Sequence, residues 1–193
     1  MKYSTFLFSL SIIFIFQSCE NRLYNWRYID RCLKCKENKS LTVEQRNEEF
    51  QFKNSRKIAY VSFPETKEMN IEKYFENLNY EPSKFNIEDF FEVKYLNEYQ
   101  INELSNLIYN IGFRKNINAG RSANCYFPNN AVLFLNEDNS LLGYIEICFD
   151  CHRYRSSNVN FTLGEDCSQK IDMLKSLFSD AQITYISSLK PFK

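Results

Sequence analysis

The sequence predicts an α+β domain: an antiparallel sheet with a central β-hairpin, covered on one face by two helices. Three observations carry this expectation. Two apolar runs, 131–135 and 141–149, flank the turn-rich Asn136-Glu137-Asp138-Asn139-Ser140, which reads as a hairpin. Two segments, 98–111 and from near Asp166, repeat apolar residues at helical spacing. Further strand candidates lie on both sides of the hairpin. Locally paired strands with helices laid over one face give two layers.

Taken in order, the chain opens with Lys2 and an apolar run, 6–16, broken only by Ser9 and Ser11. That run is too short to span a hydrocarbon core and suits the apolar centre of a signal peptide. It ends at Phe16-Gln17-Ser18-Cys19, which resembles the site where a bacterial lipoprotein is cleaved and its new N-terminal cysteine acylated, palmitate included. Leucine and a small residue usually stand where Phe16 and Gln17 are. The expected division is therefore a signal peptide at 1–18, a lipidated N-terminus and tether at 19–55, and one domain at 56–193. Within the tether, Leu23, Trp26, Ile29 and Leu33 could form a short docking helix.

In the domain, 57–63 (KIAYVSF) is a strand stopped by Pro64, and 90–96 (FFEVKYL) is a second. Asn97 with Gln100 three residues on forms a capping-box pattern. Ile101, Leu104, Ile108 and Ile111 follow at helical spacing, and Gly112 occupies the place of a closing glycine. The second helix places Cys167, Ile171, Leu174 and Phe178 on one face, with Gln169 at its capping-box position. A short strand, 183–186, ends the pattern.

Composition narrows the function. With 18 Phe, 13 Tyr, four Gly and four Pro, the chain is neither disordered nor of low complexity. Loss of Lys2 with the signal leaves 23 basic against 24 acidic residues, so no basic excess points to nucleic acid. Four glycines leave little room for phosphate-cradling loops, and no Ser-His-Asp set or H-E-x-x-H is present. No catalytic residue is assigned. Glu146, between Ile145 and Ile147, invites a general-acid reading, but a carboxylate on the solvated face of a half-buried strand is the expected one. Glu48-Glu49, Glu88-Asp89 and Glu165-Asp166 read as solvated faces or helix starts.

Six cysteines remain beside Cys19: Cys32, Cys35, Cys125, Cys148, Cys151 and Cys167. An even number in an exported chain is what a disulfide set looks like. Cys125, Cys148, Cys151 and Cys167 are expected to cluster. Their pairing stays open: a hairpin centred on Asp138 sets Cys125 opposite Cys151, whereas strand alternation favours Cys151 with Cys167 and leaves Cys125 for Cys148.

Cys148-Phe149-Asp150-Cys151-His152 also spells C-x-x-C-H, the haem-attachment motif, and His152 is the only histidine. The alternative reading is thus a metal or haem site at Cys148, Cys151 and His152. Zinc could instead be held by four thiolates, from Cys32, Cys35, Cys148 and Cys151 or from the expected cluster. Thiol–disulfide exchange is a third reading, although neither C-x-x-C pair begins a helix. The bland account of His152 is a partly exposed residue at a strand end, and no cofactor is expected.

Cys125-Tyr126-x-Pro128, the strand ending Ile145-Glu146-Ile147-Cys148-Phe149-x-Cys151, and Cys167 heading a helix form a series. It resembles a group of small, uncharacterised bacterial lipoproteins and exported proteins carrying a CY-x-P…IEICF-x-C…C pattern. An arginine often follows the proline in such sequences; here that position is Asn129. The resemblance implies no activity. With the signal region, it implies a membrane-anchored protein of a bacterial cell envelope, periplasmic or surface-exposed. Its partners would be the membrane, through the lipid, and an envelope protein or small ligand.

Overall fold

The computed structural model describes residues 26–63, 71–77, 84–115 and 125–186. The expected signal peptide and Cys19 lie outside them. Among the described residues, thirteen labelled elements follow the chain: α1 (Trp26–Leu33), β1 (Cys35–Glu37), α2 (Val43–Asn47), α3 (Phe50–Lys53), β2 (Lys57–Ser62), α4 (Ile71–Asn77), β3 (Glu92–Tyr95), α5 (Glu98–Tyr109), β4 (Ile111–Phe113), β5 (Asn130–Leu135), β6 (Leu141–Cys148), β7 (Arg153–Ser156) and α6 (Lys170–Asp180), with a 3-10 turn at Ile87–Asp89 before β3. The α+β class read from the sequence is the class observed.

The main sheet runs β3-β2-β5-β6-β7 and is antiparallel throughout. Its centre, β5, is buried at all six positions, which fits a strand read as an unbroken apolar run. Ile58, Tyr60, Val132, Phe134, Ile145 and Ile147 face α5 and α6, meeting Leu104, Leu107, Ile108, Ile171, Leu174 and Phe178. Tyr60 stacks on Phe178 with ring centroids 4.0 Å apart. The opposite face is not bare. Ala59, Val61, Ala131, Leu133 and Leu135 pack there against Phe63, Ile71, Ile87 and Phe90.

The hairpin is real, with a correction to its register. Leu135 pairs with Leu141 but Phe134 pairs with Gly143, so Leu142 is an extra residue in a bulge. A slip of one residue moves every later partner. The pairing that set Cys125 opposite Cys151 by symmetry about Asp138 therefore does not hold beyond Phe134.

Helix α5 is capped as read: Asn97 and Gln100 exchange their capping bonds. Gly112 does not close this helix; Asn110 is the C-cap, and Gly112 lies in β4. A Cβ there would fall 2.1 Å from Glu165 Oε2 and 2.6 Å from Asn38 Nδ2, so close approach explains the glycine. Residues 183–186 are not a strand. Glu92 instead accepts the amide hydrogens of Thr184 (3.0 Å) and Tyr185 (2.9 Å), and Asn130 Nδ2 donates to Tyr185 O at 2.9 Å. Side chains satisfy this backbone where a ladder was expected.

Residues 26–55, read as a tether, are folded onto the domain. β1 pairs with β4 in a second, two-stranded sheet. Thr42 and Gln45 form a capping box on α2, which turns Arg46 inward. Its guanidinium donates to Ser105 Oγ at 3.0 Å, and also to Asn102 Oδ1 and the Leu41 carbonyl. Phe52 enters the main core beside Phe134 and Tyr109. The high charge of the segment misled because one buried arginine and a few apolar anchors suffice to dock it.

Candidate functional site

Strand β6 alternates across the sheet. Its odd residues, Ile145 and Ile147, enter the helix-covered core, while Glu146 and Cys148 project to the opposite face. The segment 125–129, leading into β5, carries Cys125 and Tyr126. The β6–β7 hairpin closes through residues 149–152, with Cys148 paired to Arg153 and the His152 amide donating to the Phe149 carbonyl at 3.3 Å. His152 closes this turn at φ +49°, a conformation more usual for glycine or asparagine. Three cysteines, a carboxylate, a phenol and an arginine thus gather at one end of the sheet.

Glu146 is only 2 % exposed, which corrects its reading as a solvated carboxylate. The reason is the second apolar layer, which covers the face that alternation assigns to it. Its Oε2 accepts the Ile71 amide at 3.0 Å, where α4 begins, while Oε1 has no hydrogen-bond partner among the described residues. Burial raises its pKa, and the Ile71 amide, the Tyr126 hydroxyl and Arg155 oppose that rise. Arg155 pairs with Glu146 across β6 and β7. Its guanidinium carbon lies 4.2 Å from the centroid of the Tyr126 ring, a cation–π contact, and Nη1 lies 3.6 Å from Glu72 Oε2. Burial pushes the Tyr126 phenol strongly upward, and the nearby Glu146 carboxylate adds to it.

The cysteines divide differently from the expected cluster. Cys167 bridges to Cys35, 132 residues away, with Cα atoms 4.9 Å apart. Cys167 therefore leaves the group of four, and Cys35 joins the N-terminal segment to the approach to α6. Gln169, expected to cap α6, instead accepts the Cys35 amide through Oε1 at 2.8 Å. Cys32 is buried at the end of α1 and is not a free thiol. Cys125, Cys148 and Cys151 are free. Cys148 is 1 % exposed and the other two are half-buried. The Cys151 amide donates to Cys148 Sγ at 3.2 Å. The Cys151 thiol also contacts the thiols of Cys148 and Cys125 and the Phe127 backbone.

His152 is exposed and its Nε2 lies 3.4 Å from Asp172 Oδ1 on α6. Among the described residues, no three His, Cys, Asp or Glu side chains are arranged to hold a metal ion. Of the other carboxylates, Glu88 and Asp89 are exposed on the 3-10 turn, Glu48 pairs with Lys53 at 2.6 Å, and Glu165 accepts from Asn38 at 2.8 Å.

A second buried ion was missed altogether. Lys170 Nζ donates to the carbonyls of Ile111 (2.6 Å), Leu163 (2.8 Å) and Ile108 (3.4 Å). The Ile108 and Ile111 oxygens belong to the end of α5 and its continuation, where helix carbonyls lack intrahelical partners, and the Leu163 oxygen belongs to the loop before α6. Burial pushes the Lys170 pKa down to about 8, while the carboxylates of Glu165 and Asp166 pull it back up. The signal in the sequence was its place four residues before Leu174, inside the apolar stripe.

Comparison with protein-family models, curated proteins and solved structures gives no match.

Proposed function

We propose that the protein is an exported envelope lipoprotein, acylated at Cys19 and held to the membrane by that lipid. Its folded part presents a disulfide-stapled α+β domain with a binding or structural role toward an envelope protein or small ligand. The Cys35–Cys167 bridge is the observation that carries this reading. Disulfides of this kind persist in oxidising compartments, and the N-terminal run has the form of an export signal. The membership in the CY-x-P…IEICF-x-C…C group and the envelope location belong to the same proposal.

Folding of the expected tether changes how the domain would be displayed. Trp26, where α1 starts, is seven positions after Cys19. Seven residues span at most ~25 Å when fully extended. The domain would therefore ride close to the membrane surface.

The test is intact mass and peptide mapping of membrane-extracted mature protein, alkylated without reductant. Acyl groups on an N-terminal Cys19, with Cys35 and Cys167 protected from alkylation, are expected. An acylated Cys19 carries its sulfur as a thioether and can join no disulfide, so the reading requires the Cys32 disulfide of this structure to be absent from the mature protein. A map that finds Cys19 unacylated, or bridged to another cysteine such as Cys32, overturns the reading. Haem or zinc on Cys148 and Cys151 would give a coloured or chelator-sensitive protein and would replace it with the metal-binding alternative.

A further inference from the structure

We propose that Cys125, Cys148 and Cys151 form a thiol–disulfide exchange site in which Cys151 is the shared sulfur, bridging alternately to Cys148 and to Cys125. The proposal rests on the geometry of the three thiols and stands whether or not Cys19 is acylated.

Three free thiols meet at one end of the sheet, apart from the structural bridge of Cys35 and Cys167. Their number matters. Three cysteines can make one bridge, and one thiol must always be left over. Cys151 holds the middle position: its amide is bonded to Cys148 Sγ at 3.2 Å, and its thiol contacts both other thiols. Cys125 is in contact with Cys151. The two outer cysteines come from different parts of the chain, one ending β6 and the other preceding β5. Cys151 itself sits in the tight turn 149–152, which His152 closes in a left-handed conformation. That turn keeps Cys151 near Cys148 while leaving it half-buried, so an external disulfide can reach Cys151 before it can reach Cys148.

The steps balance with a small or protein-borne disulfide, RS–SR, as oxidant. The Cys151 thiolate attacks one sulfur of RS–SR, forming the mixed disulfide Cys151–S–S–R and releasing RS⁻, which takes up a proton. The Cys148 thiolate then attacks the Cys151 sulfur, forming the Cys148–Cys151 bridge and expelling the second RS⁻. Two thiols have been oxidised and one disulfide reduced. Attack by the Cys125 thiolate on the Cys151 sulfur moves the bridge to Cys125–Cys151 and returns Cys148 to the thiolate, with no net redox change. Burial raises the Cys151 pKa and contact with Cys151 raises that of Cys125, so these steps speed up as pH rises and the thiolate fraction grows.

The test uses the full-length mature protein, equilibrated at pH 8 with a mixture of reduced and oxidised glutathione, quenched with acid, alkylated and mapped for disulfides. Two bridges are expected, Cys148–Cys151 and Cys125–Cys151. Among these three cysteines, one alkylatable thiol per molecule should be shared between Cys125 and Cys148, with none at Cys151. Cys125→Ser should leave only the first bridge and Cys148→Ser only the second, each complete. Cys151→Ser should give neither and should carry glutathione on Cys125. A single bridge in wild-type protein, a Cys125–Cys148 bridge, or three thiols that stay alkylatable would overturn the proposal. Because the wild-type map decides it, failure of a variant to fold leaves the test intact.

Discussion

Cutting the Cys35–Cys167 bridge with Cys35→Ala/Cys167→Ala should destabilise the whole domain. The bridge closes a segment of 132 residues. In the chain-entropy model a loop of that length removes about 5 kcal/mol of freedom from the unfolded chain, against about 3 kcal/mol for a 15-residue loop. Removing native bridges costs ~2–5 kcal/mol in practice, so a loss near the upper end is expected. After the cut, α1 and β1 keep the three-residue pairing with β4, the bond of the Cys35 amide to Gln169, the bonds that the Leu33, Lys34 and Cys32 carbonyls accept from the Ser168, Arg114 and Lys115 amides, and the contacts of α2 and α3. Urea unfolding read by two probes gives the assay. Far-UV circular dichroism follows the domain, and fluorescence of the single tryptophan, Trp26 in α1, follows the N-terminal segment. The account predicts coincident transitions in the wild type, and in the variant a much lower midpoint with the Trp26 transition at or before that of the domain. A global loss below about 1 kcal/mol would refute the reasoning, since a bridge joining parts that are independently fixed should constrain the unfolded chain.

Three further outcomes follow from buried polar groups. Lys170→Met leaves three carbonyl oxygens without their donor and should cost about 2–3 kcal/mol in urea unfolding at pH 7. The folded-state pKa of about 8 lies below the ordinary 10.5, so the unfolded chain binds the extra proton. Wild-type stability should therefore gain from this group as pH rises from 8 toward 10, and the gap to Lys170→Met should widen; a constant gap would contradict it. Glu146 is the converse case: burial raises its folded pKa, so its contribution is fully present below about pH 4.5 and is lost as pH rises through the raised value. Glu146→Gln, which keeps an acceptor for the Ile71 amide, should match the wild type at pH 4 and exceed it at pH 8, and a variant weaker at both would show the carboxylate to be needed charged. Tyr60 buries a hydroxyl with no partner among the described residues. Tyr60→Phe, which keeps the stack on Phe178, should raise the unfolding free energy by ~1 kcal/mol, and a loss of that size would reveal a partner for the hydroxyl.

Local signals in the sequence were reliable where they satisfied local needs. The Asn97 capping box, the hairpin around Asp138 and the apolar stripe of α6 all correspond to observed elements, because each is specified by neighbours a few residues apart. What failed depended on partners far along the chain. Glu146 was read as solvated because alternation tells which residues share a face but not whether a second layer covers it. The unbroken run of β5 carried that information, since a strand apolar at every position has no solvated face. The hairpin register was lost to the bulge at Leu142, which no residue type announces. Cys167 was assigned by its helix stripe, yet its partner lay in a segment whose charge disguised its packing. Arg46 and Lys170 went unnoticed because buried ions look like surface ions until their acceptors are known. At the candidate site, the three cysteines were singled out from spacing, whereas their division from the bridged pair needed the fold.

The most direct measurement is the intact mass of the membrane-extracted mature protein, with Cys19 mapped. The account predicts a chain that begins at an acylated Cys19 and stays in the membrane fraction, with Cys35 bridged to Cys167. A mature chain with an unmodified or disulfide-bonded Cys19, released without detergent, would contradict it.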